Sequence, residues 1–206
     1  MSPRNIFLFV SDTMADWETS FAVAGINNPR YQKAPGSHRV ITVGSTRKPV
    51  TTLGGLRVLP DAILSEIDSN DAAMLILPGG ETWESHSNMA VIDIARTFFV
   101  EGVSIAAICG ATFALACAGM LDDFHHTSNS RDYLLASGYR GEKFYCDIPA
   151  VTDEGVITAS GFAPLEFARE IFKSLDLYTP SALEAWYSLY KFGNTTRYQE
   201  LADCAA

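Results

Sequence analysis

Residues 104–119 read SIAAICGATFALACAG, and this stretch decides the fold. A short apolar run stops at Cys109, passes through Gly110 and enters a helix-like segment closed by Gly119. Ala106 and Ala107 precede the cysteine, and Gly110 and Ala111 follow it or its neighbour, so no bulky side chain crowds the turn. A sharp strand-to-helix turn needs that economy of space. A side chain at its apex is expected to be exposed, with its sulfur near a helix N-terminus. The partial positive charge there favours thiolate over thiol. Cys109 is therefore a candidate nucleophile. Cys117, between Ala116 and Ala118 inside the same predicted helix, reads as a packing residue.

Working outward, short β-like runs alternate with helical patterns. Strands are expected at 6–10, 39–43, 73–77, 103–108 and 156–159, and helices at 16–24, 61–67, 89–101, 112–118, 131–136 and 164–175. Such alternation implies βαβ units, a parallel sheet and helices on both faces, the α/β class. Residues 51–57, with Gly54–Gly55 at the centre, read as an inserted β-hairpin, and 147–159 as a second one turning at 153–155. Ser181 followed by Glu184 has the pattern of a capping box. Leu183, Trp186, Tyr187 and Tyr190 then recur at helical spacing, a stripe that suits packing on its own domain or, alternatively, a subunit interface. One domain, 1–206, is expected, with 179–206 as a helical, aromatic-rich C-terminal extension.

The 206 residues are enough to bury a core, and 48% hydrophobic and 19% charged residues are ordinary globular values. The N-terminal apolar run is too short for a signal peptide, and no stretch approaches a membrane span. The four cysteines show no paired metal-ligand spacing and are read as reduced thiols of a cytoplasmic protein. A net charge of −9 argues against nucleic acid as a partner.

In open α/β sheets, ligands bind outside the carboxyl ends of the strands. Three of these ends carry chemistry: Ser11 to Glu18 after the first strand, Pro78-Gly79-Gly80-Glu81-Thr82-Trp83 after the 73–77 strand, and Cys109-Gly110. Gly79 and Gly80 would let backbone N–H groups approach a ligand, as an oxyanion hole requires. Asp16 and Glu18 can be favourable first-turn charges or proton-handling groups beside the sulfur. Aspartates at positions 12 and 16 would repel a flavodoxin-type phosphate, and neither GxxxxGK[ST] nor GxGxxG occurs. No cofactor and no metal is expected.

Taken together, DWET around Glu18, LILPGGETW at 75–83, AAICGATFALACAGML at 106–121, HTSN at 126–129 and ASGFAPLEFAREI at 159–171 resemble the ThiJ/PfpI superfamily. Its relatives are class I glutamine amidotransferases and PfpI-type intracellular cysteine peptidases. The resemblance spans roughly residues 5 to 178. It implies a flavodoxin-like three-layer sandwich, a reactive elbow cysteine at Cys109, an acidic partner at Glu18, and amides of Gly80 and Gly110 facing an oxyanion. It also implies a homodimer. Two departures stand out. PfpI-type peptidases place a histidine directly after the cysteine, where this chain has Gly110. Other members carry a histidine at the next strand end, where this chain has Asn129. His125 and His126 read as surface residues, with His126 a secondary candidate beside Asn129 and Asp16. The expected function is a cysteine-dependent hydrolase, protease- or amidotransferase-like, or a small-carbonyl enzyme of stress protection. Its substrate would be a small molecule or peptide. The alternative is a non-catalytic cysteine redox sensor.

Overall fold

The apolar runs form strands buried on both faces. The computed structural model describes residues 3–85 and 87–203. It contains β1 (Arg4–Phe9), α1 (Asp16–Asn27), β2 (His38–Gly44), β3 (Val50–Thr51), β4 (Arg57–Val58), β5 (Ala62–Ile63), β6 (Ala72–Leu77), α2 (Met89–Val100), β7 (Ser104–Ile108) and α3 (Gly110–Cys117). There follow α4 (Arg131–Leu135), β8 (Ala150–Asp153), β9 (Val156–Ala159), α5 (Pro164–Ser174), α6 (Pro180–Phe192) and α7 (Arg197–Asp203). Seven strands form one sheet in the order β5-β2-β1-β6-β7-β9-β8, parallel except for β8.

Period-two alternation divides each central strand between two cores. Ile6, Leu8, Met74, Ile76, Ala106 and Ile108 face one layer, against Ile26 of α1 and Phe167 and Phe172 of α5. Phe7, Phe9, Leu75, Leu77, Ile105 and Ala107 face the other, against Val91 and Ile92 of α2 and Leu115 of α3. Sheets covered by helices on both faces require such continuous apolar strands. The strand order reverses between β1 and β6, which opens a crevice at their carboxyl ends. β7 lies next to β6 and delivers Cys109 to the same edge.

Both hairpins form as read: Val50 pairs with Val58 across Gly54–Gly55, and Asp153 pairs with Val156 across a turn at Glu154 and Gly155. Residues 61–67, expected as a helix, instead give β5 and a short 3-10 turn, Leu64–Glu66. The reason is tertiary. The Asp61 carboxylate accepts from the Thr42 amide and hydroxyl, which pins this segment to β2 as the edge strand of the sheet.

The cap of α6 is Thr179, whose Oγ1 accepts from the Ala182 amide, with Pro180 as the first helical residue; Ser181 does not cap it. Trp186 packs edge-on against Phe21 and Phe172, so this part of the aromatic stripe is spent on the chain's own core. Among the described residues, no helix is long and apolar enough to cross a membrane. Cys204 lies outside the described residues.

Candidate active site

The Cys109 backbone is left-handed, with φ 57° and ψ −125°. For a residue with a Cβ this costs about 1–3 kcal/mol, so surrounding contacts must hold it in place. They are visible. The Cys109 amide donates to the Ala159 carbonyl at 3.0 Å, and the Cys109 carbonyl accepts from the Thr112 amide at 3.1 Å and the Thr112 hydroxyl at 2.6 Å. Thr112 in turn meets the Ser128 hydroxyl at 2.6 Å. The turn is therefore clamped by β9 and by its own helix.

Glu18, in the first turn of α1, is buried, and its carboxylate accepts the Gly79 amide at 2.6 Å. It is also hydrogen-bonded to the Cys109 thiol. Gly79 fits there because it lacks a side chain: a Cβ at this position would lie 2.6 Å from the Cys109 Cβ and 2.7 Å from Glu18 Oε2. Since the Gly79 amide is already committed to Glu18, it is not free for an oxyanion, contrary to the sequence-based expectation. The Gly110 amide points at the Cys109 sulfur. Among the described residues, the Gly80 amide has no hydrogen-bond partner. Buried Trp83 lies under this loop, donating from Nε1 to the Pro78 carbonyl at 2.8 Å.

Asn129 supplies the third side chain. Its Nδ2 donates to Cys109 Sγ at 3.3 Å, while its Oδ1 accepts from the Gly161 amide at 2.9 Å. The segment leading to it is anchored by the Thr127 amide donating to Thr158 and the Thr127 hydroxyl donating to the Ile148 carbonyl. Gly161, just past β9, was not singled out from the sequence, yet a Cβ there would lie 2.8 Å from Sγ. The signal was available, because Ser160-Gly161 sits at a fourth strand carboxyl end.

The other candidates lie elsewhere. Asp16 does not reach the sulfur; its carboxylate accepts from the Thr52 hydroxyl at 2.5 Å and the Gly54 amide at 2.6 Å, tying the β3–β4 hairpin to α1. His126 is fully buried rather than at the surface. Its ring bonds the Phe124 carbonyl at 2.7 Å and the Tyr139 hydroxyl at 3.1 Å, and burial lowers its pKa, so it serves as neutral packing. His125 is exposed and pairs with Asp153. Cys117, expected to pack, is exposed at the end of α3. Among the described residues, no group of three His, Cys, Asp or Glu side chains could hold a metal ion.

At the sulfur, burial opposes the thiolate-favouring helix N-terminus. Burial pushes the Cys109 thiol up to about 11, and the Glu18 carboxylate beside it acts in the same direction. Asn129 and the Gly110 amide oppose them without prevailing. Burial likewise raises the Glu18 pKa, against the lowering effect of the Gly79 amide and the Cys109 contact. The helix N-terminus is thus outweighed by desolvation and by a like charge. Burial and the neighbouring carboxylate thus both favour the protonated sulfur, and burial also favours the protonated form of Glu18.

The site opens into a cavity of about 350 Å³ whose walls include Trp17, Leu53, Gly80, Glu81, Glu84 and Tyr133. A cysteine on a strained turn, a buried carboxylate beside it and the Gly80 amide at the strand carboxyl ends mark a cysteine-centred α/β protein of the flavodoxin-like kind. The DJ-1/PfpI family model matches residues 4–174, and the chain belongs to that family.

It is 44% identical over 194 residues to a Bacillus subtilis protein described as "Uncharacterized protease YoaZ", covering 93% of this chain and 92% of that one. The crystal structure of a thiJ/pfpI family protein from Bacillus anthracis superposes with a TM-score of 0.92 at 43% identity, covering 99% of this chain and 98% of that one. "Deglycase PfpI" of Pyrococcus furiosus is 29% identical over 113 residues, 53% of this chain and 68% of its own.

Proposed function

We propose that the protein is a cysteine-dependent hydrolase of small acyl or carbonyl electrophiles, with Cys109 as nucleophile and Glu18 as its general base and acid. The observation that carries this reading is the packing of the buried Glu18 carboxylate beside the Cys109 side chain, both pressed against the backbone of Gly79 and Gly161. As Sγ attacks the carbonyl carbon, the S–C bond forms and the S–H proton passes to Glu18. The π pair moves to the carbonyl oxygen, toward the Gly80 and Gly110 amides. With an aldehyde, Glu18 returns the proton to that oxygen and leaves a hemithioacetal. With an acyl substrate, the proton goes to the leaving group as its bond to carbon breaks; water then attacks the thioester carbon, giving its proton to Glu18, and the C–S bond breaks as the sulfur recovers a proton. A carboxyl group with a raised pKa suits both directions of this transfer.

The names of the relatives, an uncharacterized protease and a deglycase, are compatible with hydrolysis at a carbonyl carbon. Peptide bonds are the less favoured substrates. Among the described residues, no imidazole contacts the sulfur, whereas a Cys–His pair is the usual activation for amide cleavage. Glu18, Glu81 and Glu84 also line the cavity, which disfavours anionic substrates. The second reading is a redox-sensing role, in which the same sulfur is oxidised reversibly without turnover.

The test is turnover of a 2-oxoaldehyde, an activated aryl ester and an unactivated peptide by the wild-type, Cys109→Ser and Glu18→Gln proteins. Turnover of the first or second substrate that both substitutions abolish supports the reading. Retained turnover in folded Cys109→Ser protein removes Cys109 as the nucleophile.

A further inference from the structure

Beside the nucleophile cavity lies an open surface depression of about 440 Å³, lined by Glu84, Phe113, Tyr133, Ser137 and the exposed Cys117 and Ala136. Glu84 and Tyr133 line both cavities, so the two are separated by a shared wall rather than by the body of the protein. That wall is thin: the Tyr133 hydroxyl donates to Glu84 Oε1 at 3.1 Å, and the Tyr133 ring leans on Phe113 at 5.2 Å between centroids. Helix α3 spans both depressions, with Gly110 in the first and Cys117 in the second. At helical rise these positions are about 10 Å apart along the axis. The second depression is lined by the Phe113 and Tyr133 rings and small side chains, with Glu84 as its charged group.

We infer that this second depression is a tail subsite, and that the substrates are neutral carbonyl or acyl compounds carrying a flat apolar group at one end. The reacting carbon sits at Cys109, and the tail passes the Tyr133–Glu84 wall to lie against Phe113. This rests on the reading of Cys109 as the attacking group, and it adds a specificity determinant, Tyr133, which acts by position and does not touch the reacting atoms. A negatively charged tail is disfavoured, because Glu84 lines both depressions.

Alkylation of Cys109 tests the subsite without requiring any turnover, so its outcome is independent of whether the protein hydrolyses anything. Iodoacetamide and N-benzyl iodoacetamide deliver the same electrophile with and without an apolar tail. The readout is the ratio of their rate constants at Cys109, followed by mass spectrometry of its peptide, so that changes in the thiol itself cancel. Cys117→Ser serves as the reference, because the exposed Cys117 thiol would otherwise be labelled as well.

Filling the depression by Cys117→Phe, or independently by Ala136→Phe, should lower the benzyl-to-plain ratio about tenfold, the effect of excluding a phenyl-sized group from an apolar pocket. Removing the wall's hydrogen bond by Tyr133→Phe should raise the ratio. Two fillers keep the test sound if one fails to fold, as judged by circular dichroism. A ratio in both folded filler variants equal to that of the Cys117→Ser reference overturns the subsite.

Discussion

Gly161 presses its backbone against Cys109, so closely that a Cβ on Gly161 would lie 2.8 Å from Sγ, 2.9 Å from the Cys109 Cβ and 3.1 Å from Glu18 Oε1. No Cβ sits at such distances from backbone-held atoms without something shifting. Gly161→Ala should therefore displace the sulfur from Glu18. The expected result is a loss of turnover of about tenfold or more, with about 1–3 kcal/mol lost from overpacking. Steady-state kinetics and chemical denaturation of the same preparation check both parts. Unchanged kinetics would mean that the sulfur has slack the geometry does not show.

Glu18→Gln separates two effects of the carboxylate. Its charge and its hydrogen bond both hold the thiol pKa up, so the amide should move the pH midpoint of Cys109 alkylation below the wild-type value of about 11. Turnover should nevertheless fall, because no base remains to take the proton and return it. Iodoacetamide labelling across pH measures the first effect, and substrate turnover the second. A midpoint that rises would mean that Glu18 rests protonated and donates to a thiolate.

The same residue predicts a pH dependence of stability. Burial raises the Glu18 pKa in the folded state above its ordinary value of 4.5, so above pH 4.5 the folded protein holds more proton at this site than the unfolded chain. By linkage, this group's contribution to stability falls as pH rises from 4.5 through the raised folded value. Glu18→Gln removes the buried charge and should be more stable than wild type at pH 7 but not at pH 4. Thermal unfolding at the two pH values checks the sign.

Asn129→Ala removes the Nδ2–Sγ hydrogen bond and leaves the Gly161 amide without its acceptor. Because that bond favours the thiolate, its loss should raise the thiol pKa further. Alkylation at pH 8 should slow about fivefold, in line with a bond worth roughly 1 kcal/mol. An unchanged pH–rate curve would exclude Asn129 from the electrostatics of the sulfur.

Asp16→Ala should act on the wall of the cavity rather than on the chemistry. The carboxylate ties Thr52 and Gly54 of the hairpin to α1, and Leu53 between them faces the cavity. Releasing the hairpin should raise KM more than it lowers kcat and should expose residues 52–56 to proteolysis. Limited digestion followed by mass spectrometry locates the cut.

What could be read from the sequence, and what could not, follows from the range of the forces involved. The strand-to-helix turn at Cys109 and the glycines after β6 were legible because local sterics dictate them. The central strands were legible because burial on both faces leaves an uninterrupted apolar run. Residues 61–67 misled because Asp61 answers to Thr42 on another strand, which no helical pattern encodes. Ser181 misled because Thr179-Pro180 caps two residues earlier. At Cys109 the helix end is visible in sequence, whereas the burial that opposes it is a tertiary property. His126 and Cys117 exchanged their expected places, buried for exposed, since neither lies in a pattern that fixes its depth.

The groups around the sulfur come from positions 18, 79, 109, 129 and 161, one from almost every stage of the chain. The last of them follows β9, which also holds the Cys109 amide through the Ala159 carbonyl. A chain emerging in order from its N-terminus therefore completes this site late. Until β9 docks beside β7, Cys109 lacks the Ala159 carbonyl that accepts from its amide and the Gly161 backbone pressed against its sulfur. Acquisition of the reactive centre is thus a report on completed folding: a truncated or half-folded copy carries the cysteine without its chemistry.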